Sequence, residues 1–277
     1  MDLYMTTFNT GTDQLLCDID DTVATITFNR PEKRNALSDI LTPALRETLL
    51  TLEKTPEVRC IVITGAGNAF CAGGDISGMG RGDSNPALRQ SHESAARELL
   101  HREETLTLRL HELTKPTIAA LPGPAAGAGF AIAVACDLRI GAKSSFIKTA
   151  FANIGLPGDY GGSWFLTQLV GPAKAKELYF LSPKLSANEC LALGIFNEVV
   201  PDDKLLDRAH EIARAIANGP PIAIAYMKSH INAATSGDLR ACLASEADRT
   251  IRCLDTEDHK EAARAFLEKR APIFAGN

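Results

Sequence analysis

The stretch Arg59-Cys60-Ile61-Val62-Ile63-Thr64-Gly65-Ala66-Gly67-Asn68-Ala69-Phe70-Cys71-Ala72-Gly73-Gly74-Asp75 decides the reading of the chain. Its first half is a short apolar run rich in β-branched side chains, the pattern of a strand buried on both faces. Its second half is too dense in glycine to continue a strand and reads as a turn. A second unit of the same kind follows: a strand over 117–121 runs into Gly123-Pro124-Ala125-Ala126-Gly127-Ala128-Gly129, then a buried apolar helix over 130–135. In a third, strands near 137–140 and 145–148 precede the turn Ile154-Gly155-Leu156-Pro157-Gly158-Asp159-Tyr160-Gly161-Gly162, which opens a helix over 163–170. Strand-turn-helix units in succession predict a layered α/β architecture.

Upstream, the β-rich runs 15–20 and 22–29 flank Asp20-Asp21 and read as a hairpin. Arg30-Pro31 ends the second run, and Ser38 can cap a helix whose Leu41, Leu45, Leu49 and Leu52 recur at helical spacing until Pro56. Downstream of Asp75, a polar stretch through Gly82 to Pro86 reads as a mobile loop, and a long helix is expected over 91–113. From Pro172 onward the pattern is helical, with only 196–200 resembling a strand. Pro201-Asp202-Asp203 marks an expected boundary between a core, 1–200, and a helical subdomain, 201–277.

With 277 residues, 45% of them hydrophobic, the chain can bury a substantial core. A formal charge of -5 supplies no basic field for nucleic acid. No apolar run approaches membrane-spanning length, and the first fourteen residues lack a basic stretch followed by an apolar one, so a cytoplasmic protein is expected. The seven cysteines are scattered, odd in number and never Cys-x-x-Cys, and the six histidines lack ligand spacing. Reduced thiols are therefore expected, and no metal site.

Neither glycine cluster is a phosphate loop or a clean dinucleotide fingerprint. Taken singly, each glycine could serve only tight turning and close packing. Taken together, glycine-lined backbone at a strand end and a helix N-terminus can aim unpaired N–H groups at an oxygen acquiring negative charge, as a thioester enolate requires.

Several segments in order carry a family resemblance: Asn29-Arg30-Pro31-Glu32-Lys33-Arg34-Asn35-Ala36-Leu37-Ser38, Ala69 to Ile76, Lys115-Pro116-Thr117-Ile118-Ala119-Ala120, Cys136-Asp137, Asp159-Tyr160-Gly161-Gly162, Gly171-Pro172-Ala173-Lys174-Ala175, Leu193 to Pro201 and Ala262 to Ile273. Together they resemble the enoyl-CoA hydratase/isomerase (crotonase) family over roughly 15–275. The resemblance implies a crotonase-like spiral of ββα units with a C-terminal helical trimerisation subdomain. It also implies an acyl-CoA thioester substrate that carries its own coenzyme A, with no further cofactor, and assembly as a homotrimer or dimer of trimers. By position it puts the oxyanion donors on the backbone N–H of Gly74 and Ala128. Adenine and pantetheine would lie near Ala36, Ala72, Asp75 and Ile76. Lys33 or Arg34, with Lys269 from a neighbouring subunit, would meet the phosphates, unless these are simply solvated surface charges.

The chain also departs from the pattern. The family's hydratases carry two glutamates, and here those positions correspond to Ala131 and Phe151. The nearest replacement is Asp159, either a catalytic carboxylate or a plain helix cap. One carboxylate suits moving a proton along an enoyl-CoA. Hydration would need a second group, for which Glu103 or Glu104 stands in reach, though solvated helix charges fit both as well. Tyr160, Trp164, Phe70, Phe130 and Phe151 are expected to shape the acyl pocket or the core. Isomerisation is therefore favoured over hydration, with C–C or thioester hydrolysis on a bulky or cyclic acyl-CoA and a non-catalytic CoA-binding or RNA-binding relative as alternatives.

Overall fold

The apolar run Cys60–Gly65 forms a strand buried along its whole length. In the computed structural model, which describes residues 5–75 and 91–277, it is β4 and pairs in parallel with neighbours on both sides. Ile76 and the polar stretch to Pro86 lie outside the described residues. Before β4 come β1 (Met5–Phe8), β2 (Leu15–Asp20) and β3 (Val23–Phe28), joined as antiparallel pairs. After it come β5 (Thr117–Leu121), β6 (Ala125–Ala126), β7 (Leu138–Ala142), β8 (Phe146–Lys148), β9 (Leu185–Ser186) and β10 (Glu198–Val200). The main sheet runs β1-β2-β3-β4-β5-β7-β10, and β6-β8-β9 form a second, small sheet. The expected hairpin turns at Asp21, which takes a left-handed conformation.

Alternation along β4 sorts the layers, because successive side chains leave opposite faces. Ile61 and Ile63 join the main core with Leu41, Leu45, Leu49 and Leu52 of α1 (Leu41–Lys54). Each of these leucines is fully buried, worth about 1.5–3 kcal/mol apiece. Ser38 does serve the start of this helix, its hydroxyl accepting from Leu41 N–H at 3.0 Å. Cys60 and Val62 face the other way, toward Leu205, Ala209, Ala213 and Ala217 of α7 (Leu205–Ala217). So α7, beyond the expected boundary at 200/201, lies against the sheet.

The long helix between β4 and β5 is capped by Ser91 and runs as α2 (His92–Glu103), a π-helical turn over Glu104–Leu108, and α3 (Arg109–Glu112). The buried helix after the second glycine turn is α4 (Ala128–Ala135). The third turn opens α5 (Gly162–Leu181), which is longer than expected and broken at Gly171, where φ is 76°. The rest is α6 (Ala187–Ala192), α8 (Pro221–Ala234), α9 (Leu239–Leu254) and α10 (Glu257–Glu268). A buried lysine ties α8 to the sheet: Lys228 Nζ donates to Asp137 Oδ2 at 2.8 Å and to the Leu110 carbonyl at 3.1 Å. Among the described residues no helix is long and apolar enough to cross a membrane.

Candidate active site

Two backbone segments carry the expected oxyanion donors. Leu37 bridges Gly74 in parallel, its N–H donating to Gly73 O at 2.8 Å and its carbonyl accepting from Asp75 N–H at 3.1 Å. Because the flanking residues supply both bonds, the Gly74 N–H itself turns away from Leu37. The Ala128 N–H stands in the first turn of α4, where amide donors have no intrahelical partner. Cys71 bridges Ala125, laying the two segments side by side. How close they lie is clear at Gly129, where a Cβ would sit 2.3 Å from Cys71 O. At Gly73, with φ of 95°, a Cβ would meet Ala126 O at 2.9 Å and Ala128 N at 3.5 Å.

Asn35 fixes this arrangement from outside. It is fully buried, donates through Nδ2 to Ala66 O at 2.9 Å and Ala69 O at 2.7 Å, and accepts from Arg30 N–H at 2.9 Å. It thus pins the 30–36 loop to the first glycine turn. Arg30 also pairs with Asp75 at 3.1 Å. Of the positions expected to touch coenzyme A, Ala36 is buried, Ala72 is exposed, and the Asp75 carboxylate faces Arg30. Lys33 and Arg34 stand exposed on this loop, and Lys269 is exposed at the C-terminal cap of α10.

The third turn brings in the carboxylate. The α5 N-cap position is Gly161, with no side-chain cap. Asp159 therefore does not cap the helix, and its Oδ1 is buried without a hydrogen-bond partner among the described residues. Burial, and then the charge of Glu103, push its carboxyl up to about 6. Glu103 reaches this turn directly, its Oε1 accepting from Tyr160 N–H at 2.8 Å. Glu104 is exposed at the start of the π-helical turn, so of the two neighbouring glutamates it is Glu103 that meets Asp159.

Ala131 and Phe151 are both buried, and the Phe151 ring lies 3.9 Å from where a Cβ on Gly127 would stand. Phe151 stacks on Tyr179, centroids 6.0 Å apart at 14°. Tyr179, which the sequence did not single out, arrives by way of the break at Gly171. Phe70 and Phe130 belong to the core, and Tyr160 is buried beside Asp159. Trp164 is directed elsewhere: it meets His111 edge-on at 5.3 Å and lines a cavity of about 440 Å³ with Lys228 and Met227, none of which belongs to the Asp159 turn. Chemically, the third turn offers a buried acid whose carboxyl is pushed up to about 6.

The enoyl-CoA hydratase/isomerase family profile matches residues 18–277, nearly the whole chain. The chain belongs to the enoyl-CoA hydratase/isomerase family. It is 36% identical over 264 residues to the 1,2-epoxyphenylacetyl-CoA isomerase of Escherichia coli K12, covering 95% of this chain and 98% of that one. It is 34% identical over 249 residues to the short-chain-enoyl-CoA hydratase of Clostridium acetobutylicum, covering 90% and 92%. The crystal structure of an enoyl-CoA hydratase from Polaromonas sp. JS666 superposes with a TM-score of 0.86 at 33% identity, over 94% of this chain and 99% of that one. That from Bacillus anthracis gives 0.87 at 31%, over 95% and 100%. The fold is the family's, and the protein is an enzyme of the enoyl-CoA hydratase/isomerase type that processes acyl-CoA.

Proposed function

We propose that the enzyme isomerises an unsaturated acyl-CoA, with Asp159 as the proton-transferring base and the N–H groups of Gly74 and Ala128 as the oxyanion hole. The buried, unpartnered Asp159 Oδ1 carries this reading. A carboxylate pushed up to about 6 is still ionised at pH 7, yet basic enough to take a carbon-bound proton and acidic enough to return it. Asp159 takes the proton from C2 of a 3-enoyl thioester, and the electron pair moves onto the thioester oxygen, held by the two N–H groups. Protonated Asp159 then delivers the proton to C4, the double bond moves to C2–C3, and the formula is unchanged. Apolar Ala131 and Phe151 leave no acid at those positions to direct a water.

Coenzyme A would be bound through the 30–36 loop and the first glycine turn, by Ala36, Ala72, Asp75 and Ile76, with Lys33 or Arg34, and Lys269 of a neighbouring subunit, meeting the phosphates. The exposed Leu239, Leu243, Ile251, Leu254, Phe266 and Leu267 on α9 and α10 suit burial in a homotrimer or a dimer of trimers. Hydration is the second reading, favoured by the placement of Glu103 beside Asp159.

Incubation of 3-enoyl-CoA and 2-enoyl-CoA thioesters in heavy-oxygen water, followed by mass spectrometry, tests both readings. An isobaric product with a shifted alkene is expected. A product heavier by one labelled water would replace isomerisation with hydration or hydrolysis.

A further inference from the structure

Two oxygens beneath the 158–162 turn are buried without a hydrogen-bond partner among the described residues: Asp159 Oδ1 and the Tyr179 hydroxyl. Since both are unpartnered, they are not bonded to each other. Seventeen residues of straight helix would carry Tyr179 about 26 Å from Gly162. Instead the break at Gly171 folds the second half of α5 back, and a Cβ on Gly162 would lie 2.9 Å from the Tyr179 hydroxyl and 3.2 Å from Ala131 Cβ. With the ring stacked on Phe151, the hydroxyl sits among Ala131, Phe151 and the Asp159 turn.

Burial first, and then the Asp159 charge, raise the phenol far above the working range, so it remains a neutral donor. The Ser163 side chain lies close enough to act in the opposite sense without reaching hydrogen-bond geometry. A buried donor left unmade is more costly than an ordinary hydrogen bond is favourable. A site that carries one therefore discriminates between ligands with and without an acceptor there.

We propose that Tyr179 is a specificity-determining residue whose hydroxyl donates to an oxygen on the acyl group, beyond the thioester carbonyl. The acyl-CoA selected is then one with an ether oxygen in its acyl group, over a plain hydrocarbon of the same shape. This deepens the isomerase reading and rests on it for placing the acyl group against the Asp159 turn.

Binding calorimetry with unreactive thioesters tests the proposal: the 2-, 3- and 4-tetrahydropyranyl-acetyl-CoA set against cyclohexylacetyl-CoA, which differ by one ring oxygen for a methylene. The wild type is expected to bind at least one ether about tenfold more tightly than the carbocycle, the scale of one neutral hydrogen bond. Tyr179→Phe should abolish that preference, bind the carbocycle as before and melt no lower than the parent. Equal binding of all four by the wild type, a preference retained in Tyr179→Phe, or a melting temperature lowered by several degrees would each overturn it. The base assignment stands or falls separately, on whether Asp159→Asn still isomerises a 3-enoyl thioester.

Discussion

The Glu103 carboxylate is fastened one residue from Asp159, its Oε1 accepting from the Tyr160 N–H at 2.8 Å. Two acids on different elements are thus held at one turn, and Glu103 contributes to the raised pKa of Asp159. Glu103→Gln keeps an oxygen for the Tyr160 N–H and removes the charge. The low-pH limb of kcat/KM should then move to lower pH, with kcat at pH 8 within several-fold of the parent. A pH–rate profile checks this; an unmoved limb would show that Glu103 does not tune Asp159.

Activity of the parent enzyme should depend on ionised Asp159. Because the base is inactive when protonated, kcat/KM is expected to be full above the Asp159 pKa and to fall about tenfold per pH unit below about 6. Asp159→Asn should lower kcat by about 10²–10⁴ while leaving coenzyme A affinity within a few-fold.

The same shift has a consequence for stability with a definite sign. Burial raises the folded-state pKa of Asp159 above its unfolded value, so its contribution declines as pH rises from about 4 to about 6. At pH 8 Asp159→Asn is therefore expected to melt at or above the parent temperature. A clear drop there would mean that the carboxylate supports the fold.

Close backbone approach beside the expected oxyanion donors separates two glycines. Gly129→Ala places a Cβ 2.3 Å from Cys71 O and should destabilise the protein by about 1–3 kcal/mol, whereas nothing stands within 4 Å of a Cβ at Gly74. Gly74→Ala should keep the parent melting temperature. Comparable losses in the two variants, read by thermal unfolding, would contradict the packing described.

Lys228 is nearly enclosed, and Asp137 Oδ2 accepts from it and from both the N–H and the hydroxyl of Thr117, at 2.7 and 2.9 Å. Lys228→Met leaves that carboxylate without its cation and should cost about 3 kcal/mol, several degrees in melting temperature. Replacing both partners with apolar residues should recover part of the loss.

Much of this was legible in the chain because the signals were local. The Cys60–Val62 and Ile61–Ile63 alternation and the leucine spacing of α1 fixed the layers, and the three glycine turns marked where regular strands end. Asp159 stood out because it sits in one of those turns. Glu103 could not be separated from Glu104, since the π-helical turn that begins at Glu104 alters the helical phase there. Tyr179 was hidden because its approach depends on a chain reversal at Gly171, with no periodicity linking it to Gly162. Trp164, by contrast, drew attention by residue type and turned out to line another cavity.

The π-helical turn over Glu104–Leu108 accommodates more chain per turn than an α-helix does. Deleting one residue there would restore regular winding and rotate everything toward the N-terminus by about 100°. Glu103 would swing off the Tyr160 amide with its identity unchanged. Whether the Asp159 turn holds one acid or two is thus governed by chain length in a single helical turn, so that a one-codon insertion or deletion, rather than any substitution, could convert one kind of site into the other.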